Sequence, residues 1–291
     1  MPAIREVTFV APGRPTVEGA GVHLRRAFGF GLEREFDPFL LLDDFRGDEP
    51  SLYRAGFPWH PHRGIETITY VLEGEVDHGD SMGNQGTIGA GDVQWMTAGS
   101  GIIHQEMPRG ESNGRMGGFQ LWANLPAADK MIDPRYCGIA AAQIPTHAVD
   151  GVHVRVIAGR VGGTTGPVRD IVIDPEYLDV TLDPGVVWEH PTAFGHTVFA
   201  YLFSGAARFG EQREPIVADP GSVVLTGEGD LVRVAAGQVG ARFLLVGGRP
   251  LREPIAWRGP IVMNTRDELD SAWRELDAGT FVKHGPAGSA S

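Results

Sequence analysis

Short stretches in which apolar and polar residues alternate recur along the chain, and they predict β-strands. The alternation is clear at 67–72 (TITYVL), 152–157 (VHVRVI) and 231–234 (LVRV), and it fits strands with one buried face. Continuous apolar runs at 198–203 and 243–246 predict strands that are buried on both faces.

One segment near the C-terminus has helical spacing instead. Thr265 precedes Glu268 by three positions, which is a capping-box pattern. Apolar residues then recur at helical intervals, at Leu269, Ala272, Trp273 and Leu276. We therefore predict a short helix over about residues 265–277 that packs on a barrel.

The turn-forming residues favour an all-β fold. The chain contains 41 glycines and 21 prolines, and they are spread along its length rather than pooled in one linker. This spacing divides the sequence into many short segments, as in β-barrels and sandwiches.

A weak internal repeat suggests that the chain holds two such barrels. YVLEG at 70–74 is followed by GDVQWMTAGSG at 91–101, and YLFSG at 201–205 is followed by GSVVLTGEGD at 221–230. Two copies of one small β-barrel explain this pattern. We place the boundary after about residue 140, which gives domains 1–140 and 141–291, with the helix in the second.

The charge balance excludes some partners. The formal net charge is −12 over 291 residues, and no run of basic residues offsets it, so direct binding to nucleic acid or to anionic lipid is not expected. The single cysteine, Cys137, supports neither a disulfide framework nor a thiolate zinc site. With no membrane-spanning apolar run and no signal-peptide core, the protein is predicted to be soluble and cytoplasmic.

Two pairs of residues carry the candidate chemistry. His60 and His62 are two positions apart, and so are His104 and Glu106. On a strand, residues at this spacing point to the same face, so two adjacent strands would supply three imidazoles and one carboxylate. Such a set suits a divalent ion of iron, manganese, nickel, copper or zinc, and a barrel interior would leave positions open for substrate.

The second copy of the repeat lacks these ligands. When Thr97 is aligned with Thr226, Arg233 and Ala235 take the places of His104 and Glu106. We therefore expect one metal per chain, in the first barrel. The remaining histidines are interpreted as surface or hydrogen-bonded core residues (His23, His78, His147, His153, His190, His196 and His284). For His190 and His196, the alternative is that they line a second cavity.

Glu66 is a further candidate ligand. It has the same parity as His60 and His62, so on a regular strand its side chain would reach the same cavity. Spacing alone does not decide between Glu66 and Glu106.

The strings HPHRGIETITYVLEG and GDVQWMTAGSGIIHQEMP resemble the cupin metal motifs in the form found in the pirin family. DPFLLLDDF at 37–45 and REPIAWRGPIVMNT at 252–265 resemble that family's N-terminal and C-terminal segments, and FQLWANLP at 119–126 fits the strand after the second metal pair. The resemblance covers about residues 5–285, with no departure at the expected ligand positions.

The resemblance implies an all-β bicupin, that is, two antiparallel β-barrel (jelly-roll) domains with a short C-terminal helix. It implies one metal, typically Fe(II), held by His60, His62, His104 and Glu106, whereas the residue matching Glu66 is usually not a ligand. Bacterial members resemble quercetin 2,3-dioxygenases, which open the central ring of a flavonol with O2 and release carbon monoxide. Animal members resemble nuclear co-regulators whose metal redox state tunes a contact with a transcription factor.

Two functional hypotheses follow. As a dioxygenase, the protein would use Glu106 both to hold the metal and as a general base, and its pocket would draw on nearby side chains (Phe57, Trp59, Trp95 and Met96). Arg63 would face either solvent or a substrate oxygen, and Glu66 would lie in the pocket or beside a ligand. The alternative is a non-enzymic metal or redox sensor that acts through protein contacts.

The acidic charge favours the enzyme, because a regulator that docks on DNA-bound partners would tend to carry a basic patch. Other cupin activities, such as organic acid oxidation or sugar phosphate isomerisation, fit less well. A sugar phosphate would call for clustered cations, and only Arg54, Arg63 and Arg109 lie near the ligands in the sequence.

Overall fold

A computed structural model describes residues 2–211 and 216–285. Antiparallel pairs join the strands of every sheet in this part of the chain, so the all-β prediction is confirmed. The strands are β1 Val7–Pro12, β2 Arg14–Glu18, β3 Val22–Phe28, β4 Phe39–Asp44, β5 Phe57–His62, β6 Ile65–Glu73, β7 Glu75–Asp80, β8 Gln85–Ile88, β9 Val93–Thr97, β10 Ile102–Arg109, β11 Gly117–Asn124, β12 Arg135–Ile139, β13 Thr146–Val149, β14 Val152–Ala158, β15 Arg160–Val161, β16 Thr164–Thr165, β17 Glu176–Leu182, β18 Val187–Pro191, β19 Thr197–Phe209, β20 Ile216–Ala218, β21 Ser222–Thr226, β22 Leu231–Gly248, β23 Ala256–Arg258 and β24 Ile261–Met263. Single 3-10 turns lie at Pro50–Leu52, Ala127–Asp129 and Ala141–Gln143.

The chain forms two compact units. The first unit consists of residues 15–26, 39–141 and 252 onward, and the second of the chain up to Arg14 together with 27–38 and 142–251. The domain boundaries 1–140 and 141–291 stay a prediction, although one of the five passages between the units falls at Ala141. The units differ from those domains in that β1 joins the sheet of the second unit, and the segment after Leu251 belongs to the first.

In the first unit, seven strands form a sheet in the order β12-β9-β6-β11-β4-β3-β2. A second sheet of four strands has the order β5-β10-β7-β8, and β23 pairs with β24. Apolar residues from these sheets form the interior, in clusters that include Val71, Met96 and Ile102.

In the second unit, one sheet has the order β1-β21-β19-β22-β17-β14-β13, with β18 added to β22 and β20 to β19, and β15 pairs with β16. Its interior is filled by aliphatic and aromatic side chains such as Val180, Phe209 and Phe243. The internal repeat corresponds to equivalent strand pairs, because β6 pairs with β9 in the first unit and β19 pairs with β21 in the second.

The helix predicted over 265–277 is α1, Arg266–Asp277, and its capping box is present. The hydroxyl of Thr265 accepts a hydrogen bond from the backbone N–H of Glu268 at 3.2 Å, and the Glu268 carboxylate accepts one from the backbone N–H of Thr265 at 2.9 Å. Leu269 and Ala272 are buried, so the helix packs through the apolar face that the spacing indicated. In the residues that the structure describes, no helix has the length and apolar character needed to cross a membrane.

We call residues 252–285 the C-terminal segment, and a buried lysine ties it to the rest of the first unit. Lys130 is 2% exposed, and its ammonium group donates to the carbonyl oxygens of Gly64 at 2.8 Å and Val262 at 3.0 Å and to the side-chain oxygen of Asn124 at 2.7 Å. All three N–H groups of the ammonium therefore have acceptors, which is the condition for burying such a group.

The close approach of the C-terminal segment also requires glycine at residue 64, because its φ is +76° and a Cβ there would overlap the Val262 carbonyl.

We expect Lys130→Met to lower the free energy of unfolding by about 3 kcal/mol, because it removes the hydrogen bonds that the buried ammonium group donates to three acceptors. Urea unfolding followed by tryptophan fluorescence measures the change. Lys283→Met, which removes a partly exposed lysine of the same segment, is the control and should change the free energy of unfolding by no more than about 0.5 kcal/mol. Equal effects of the two substitutions would contradict this role of Lys130.

Candidate metal centre

The candidate ligands lie on β5 and β10, which pair antiparallel. His60 lies directly opposite His104, and His62 lies opposite Ile102. The strand alternation that the sequence indicated therefore brings three imidazoles to one place. Their candidate ligand atoms all lie within 4.8 Å of one another, and the Nε2 atoms of His60 and His62 are 3.1 Å apart.

Backbone carbonyls orient two of the rings. The Nδ1 of His60 is 2.8 Å from the carbonyl oxygen of Pro58, and the Nδ1 of His62 is 3.1 Å from that of Pro260. Because a carbonyl oxygen only accepts, each Nδ1 carries the hydrogen and each Nε2 keeps its lone pair. The Nε2 of His104 is buried, and none of the described residues offers it a hydrogen-bond partner.

The three rings are held uncharged. Burial lowers the pKa of His60, and it lowers the pKa values of His62 and His104 well below the usual range. Repulsion from the neighbouring imidazoles lowers the pKa values of His62 and His104 further. Neutral imidazole is the form that binds metal, so the cluster needs no deprotonation before an ion enters.

Glu106 lies on the same strand but outside the group of nitrogens within 4.8 Å of one another. It is buried opposite Phe57, where the register of β5 and β10 shifts after His104. Burial raises the pKa of its carboxyl group to about 7. The Thr69 hydroxyl donates a hydrogen bond of 3.0 Å to this carboxyl group, which acts in the opposite direction and lowers the pKa. Glu106 as a fourth ligand stays a prediction.

These residues fit a divalent transition-metal ion. Three neutral imidazoles lie together, with His62 and His104 buried and His60 partly buried. Two are oriented by carbonyls, and the third has a buried nitrogen without a partner among the described residues. This is the arrangement of histidine-ligated metal sites, in which a hydrogen bond at one ring nitrogen fixes the direction of the other. Among the described residues, this is the one group of histidine, cysteine and acidic side chains that could hold an ion.

Glu66 does not lie among these ligands. Its carboxylate accepts hydrogen bonds from the Thr97 hydroxyl at 2.7 Å and from the Trp95 indole at 3.1 Å. It is three positions from Thr69 on the continuously paired β6, so it faces away from Glu106. The expectation that Glu66 and Trp95 line the cavity is therefore corrected: the turn at Gly64 separates β5 from β6, so the parity of the histidines does not continue to Glu66.

The expectation for Arg63 is also corrected, because its side chain is buried against the C-terminal segment and faces neither solvent nor the histidine cluster. Its guanidinium is buried over the ring of Phe281, 4.2 Å from the ring centroid. It donates to the Phe281 carbonyl oxygen at 2.9 Å and forms an ion pair of 2.7 Å with Glu275. Helix α1 and the residues after it supply these partners, a contact that no local sequence pattern reveals.

Of the other predicted pocket residues, Phe57 and Trp59 lie on β5 with His60, and Met96 lies on β9. The ring of Phe57 is 6.5 Å from that of His60, and Trp59 is 55% exposed beside it. Met96 is buried in an apolar cluster with Ile65 and Ile102.

Sequence reasoning missed several aromatic residues. Trp122 lies edge-on to the His62 ring at 5.0 Å, and Trp257 of the C-terminal segment lies 6.2 Å from Trp122. Tyr136 packs on the same apolar cluster, and its hydroxyl lies 2.7 Å from the Nε2 of His78. Gln120 and Trp122 are two positions apart on β11, so the sequence predicts that they share one face of the strand. It does not predict that Trp122 contacts His62.

The second unit has Arg233 at the position that the repeat aligns with His104. Arg233 is opposite Glu189 on β22 and β18, and the two side chains form an ion pair of 2.5 Å. Both side chains are partly exposed, so the pair lies on the outer face of these strands, whereas His190 and Val232 are buried. His190 points to the interior instead, with its Nε2 2.8 Å from the Glu176 carboxylate and its ring stacked on Trp188.

Comparisons with known proteins agree with this architecture. The sequence model of the family Pirin matches residues 21–123, and that of the Pirin C-terminal cupin domain matches residues 177–282. A pirin-like protein of Caulobacter vibrioides is 45% identical over 280 residues, which cover 96% of this chain and 99% of that protein. Human pirin is 40% identical over 274 residues, which cover 94% of this chain and 92% of that protein.

A crystal structure of quercetin 2,3-dioxygenase from Acinetobacter baumannii is similar over the whole fold. It is 33% identical, superimposes with a TM-score of 0.87, and covers 96% of this chain and 99% of its own. The two β units thus define a bicupin, as the resemblance implied. The chain belongs to the pirin family.

If the histidine cluster binds metal, His62→Ala should weaken the affinity for Fe(II) at least tenfold, because it removes one of three converging nitrogens. We expect Glu106→Gln to lower the metal content as well, with little change in the fold. Metal per chain is measured by elemental analysis after anaerobic loading and desalting, with the exposed His153→Ala as control. Full metal content in both site variants would show that the ligand assignment is wrong.

Proposed function

We propose that this protein is an iron-dependent dioxygenase that cleaves flavonols such as quercetin with O2. The observation that carries the proposal is the group of three uncharged imidazoles, two buried and one partly buried, beside partly buried aromatic rings. The similarity to a protein named quercetin 2,3-dioxygenase supports the substrate class.

His60, His62 and His104 would hold the ion through Nε2, and Glu106 would complete the set as an anionic ligand. When bound, the ion supplies a centre at which the flavonol oxygen and O2 can be brought together. Fe(II) is our choice from the family resemblance. Manganese, nickel, copper and zinc also accept imidazole and carboxylate ligands.

The residues beside the cluster suit a planar aromatic substrate. Trp122, Tyr136 and Trp257 are partly buried and pack on one apolar cluster together with Met82 and Ile255. Trp122 shares a face of the sheet with Met96, since both are paired with Thr67. Aromatic side chains of this kind bind a flat ring by stacking or edge contacts, and they exclude water from it.

Two polar groups would orient and deprotonate the substrate. Tyr136 is held by His78 and by the side-chain amide of Gln94, so its hydroxyl has a fixed position in the aromatic wall. The Glu106 carboxylate would take the proton of the flavonol 3-hydroxyl, while the Thr69 hydroxyl stabilises its other oxygen.

The reaction balances without a further reductant. Both oxygen atoms of O2 enter the product, and the two carbon–carbon bonds of the ring carbon that bears the 3-hydroxyl break. That carbon leaves as carbon monoxide with its own oxygen, and the hydroxyl proton ends on the carboxylic acid of the product.

One observation favours the alternative of a non-enzymic metal sensor. Trp59 is more than half exposed on β5, the strand that carries His60 and His62, so a protein bound over Trp59 would contact that strand. Such a regulator would bind iron and a protein partner without consuming oxygen.

The test is oxygen consumption with quercetin by protein loaded anaerobically with Fe(II). We expect O2 uptake and carbon monoxide release in a ratio of about one to one, both rising in proportion to iron content. His62→Ala should abolish turnover, because the metal is lost.

His190→Ala is the matched control, since it removes a buried histidine from the second unit, and we expect it to keep its turnover per iron. Iron bound at one per chain with no oxygen uptake would exclude the flavonol dioxygenase and favour the sensor. A large loss of turnover in His190→Ala would mean that the second unit contributes to the chemistry.

A further inference from the structure

The two oriented histidines of the metal centre are held in different ways. The carbonyl that orients His60 belongs to Pro58, two positions earlier on the same strand. The carbonyl that orients His62 belongs to Pro260, which is 198 positions away in the C-terminal segment. One ligand is thus fixed by its own strand, and the other by a part of the chain that follows the whole second unit.

Several contacts hold Pro260 against β5. Ile261 bridges Arg63 in a parallel pairing, and the backbone N–H of Val262 donates to the Arg63 carbonyl oxygen at 3.1 Å. Lys130 donates to the Val262 carbonyl oxygen on the other side. The residues directly after Pro260 are therefore bound at the residue that follows His62.

The Arg63 side chain extends this attachment to the end of the C-terminal segment. Its buried guanidinium binds the Phe281 carbonyl and the Glu275 carboxylate, and it covers the buried Phe281 ring. A buried guanidinium needs such partners, so the position of Arg63 and that of helix α1 depend on each other. The backbone of Arg63 contacts Ile261 and Val262, while its side chain contacts the helix and the residues after it.

We propose that Arg63 is a positioning residue for the metal centre. Through Glu275 and Phe281 it fixes the C-terminal segment, and the segment places the Pro260 carbonyl on the Nδ1 of His62. Loss of this attachment frees the His62 ring to turn, so its Nε2 no longer points steadily at the other two nitrogens. Hydrogen-bond partners of metal-bound histidines typically contribute 10- to 100-fold to metal affinity.

The experiment compares Arg63→Met with Lys283→Met in the full-length protein. Lys283 is the other cation on Glu275, at 2.9 Å, and it contacts neither His62 nor Pro260 in the structure, so it controls for the loss of a positive charge from Glu275. Two quantities are measured: the dissociation constant for Zn²⁺ by chelator competition, and the solvent exchange of the Nδ1 protons of His60 and His62 by NMR. The protons are followed in metal-free and zinc-loaded protein.

We expect Arg63→Met to weaken zinc binding about tenfold and to speed the exchange of the His62 Nδ1 proton. The His60 proton, held by Pro58, should exchange as in the unaltered protein, and Lys283→Met should resemble the unaltered protein in both measurements. Unchanged zinc affinity, or equal changes at His60 and His62, would overturn the proposal, because a general loosening of the fold affects both rings.

Glu275→Gln gives a second route if Arg63→Met does not fold. It keeps the shape of the side chain but removes the charge that pairs with Arg63, and it should change the same two quantities in the same direction by a smaller factor. No change in either quantity would overturn the proposal. The proposal rests on the histidine cluster of the proposed function but not on flavonol cleavage, so a protein that binds zinc without consuming oxygen still tests it.

Discussion

The candidate metal centre depends on three uncharged imidazoles, two buried and one partly buried, whose candidate ligand atoms lie within 4.8 Å of one another. Burial holds the pKa values of all three rings low, so none of them carries the second ring proton and the positive charge that would repel an incoming cation. The carbonyls of Pro58 and Pro260 occupy the Nδ1 side of two rings and leave the Nε2 side for the ion. A surface cluster of histidines would have neither property, because water would solvate the charged rings and let them turn.

Much of the first unit can be understood from this requirement. Strands β5 and β10 carry the three candidate histidine ligands, and the register that sets His60 opposite His104 brings the rings together. The C-terminal segment adds the Pro260 carbonyl and the aromatic residue Trp257, so it contributes both to ligand orientation and to the apolar wall. Lys130 and Arg63 are buried basic side chains whose hydrogen bonds and ion pair fix this segment, which explains why they are found inside an otherwise apolar interior. In the second unit, the repeat places Arg233 and Ala235 where the first has His104 and Glu106, which leaves that repeat without a comparable ligand set.

The sequence was informative where a feature is local. The alternation of strands, the capping box at Thr265 and the spacing of His60 and His62 all involve neighbouring residues, so their physical meaning can be read without the fold. Glu66 was misplaced because the turn at Gly64 ends one alternation and begins another. Arg63 was misplaced because its partners, Glu275 and Phe281, come from a segment more than 200 residues later. Trp122 and Tyr136 gave no local signal that separates a pocket residue from a core residue.

The most direct test of the metal centre is a crystal structure of the protein loaded with Fe(II) under anaerobic conditions, with anomalous diffraction recorded at the iron edge. We predict one anomalous peak per chain, about 2.1 Å from the Nε2 atoms of His60, His62 and His104. The Nδ1 atoms of His60 and His62 should remain on the carbonyls of Pro58 and Pro260. A peak bound through fewer than three of these histidines, or located elsewhere in the chain, would contradict the account.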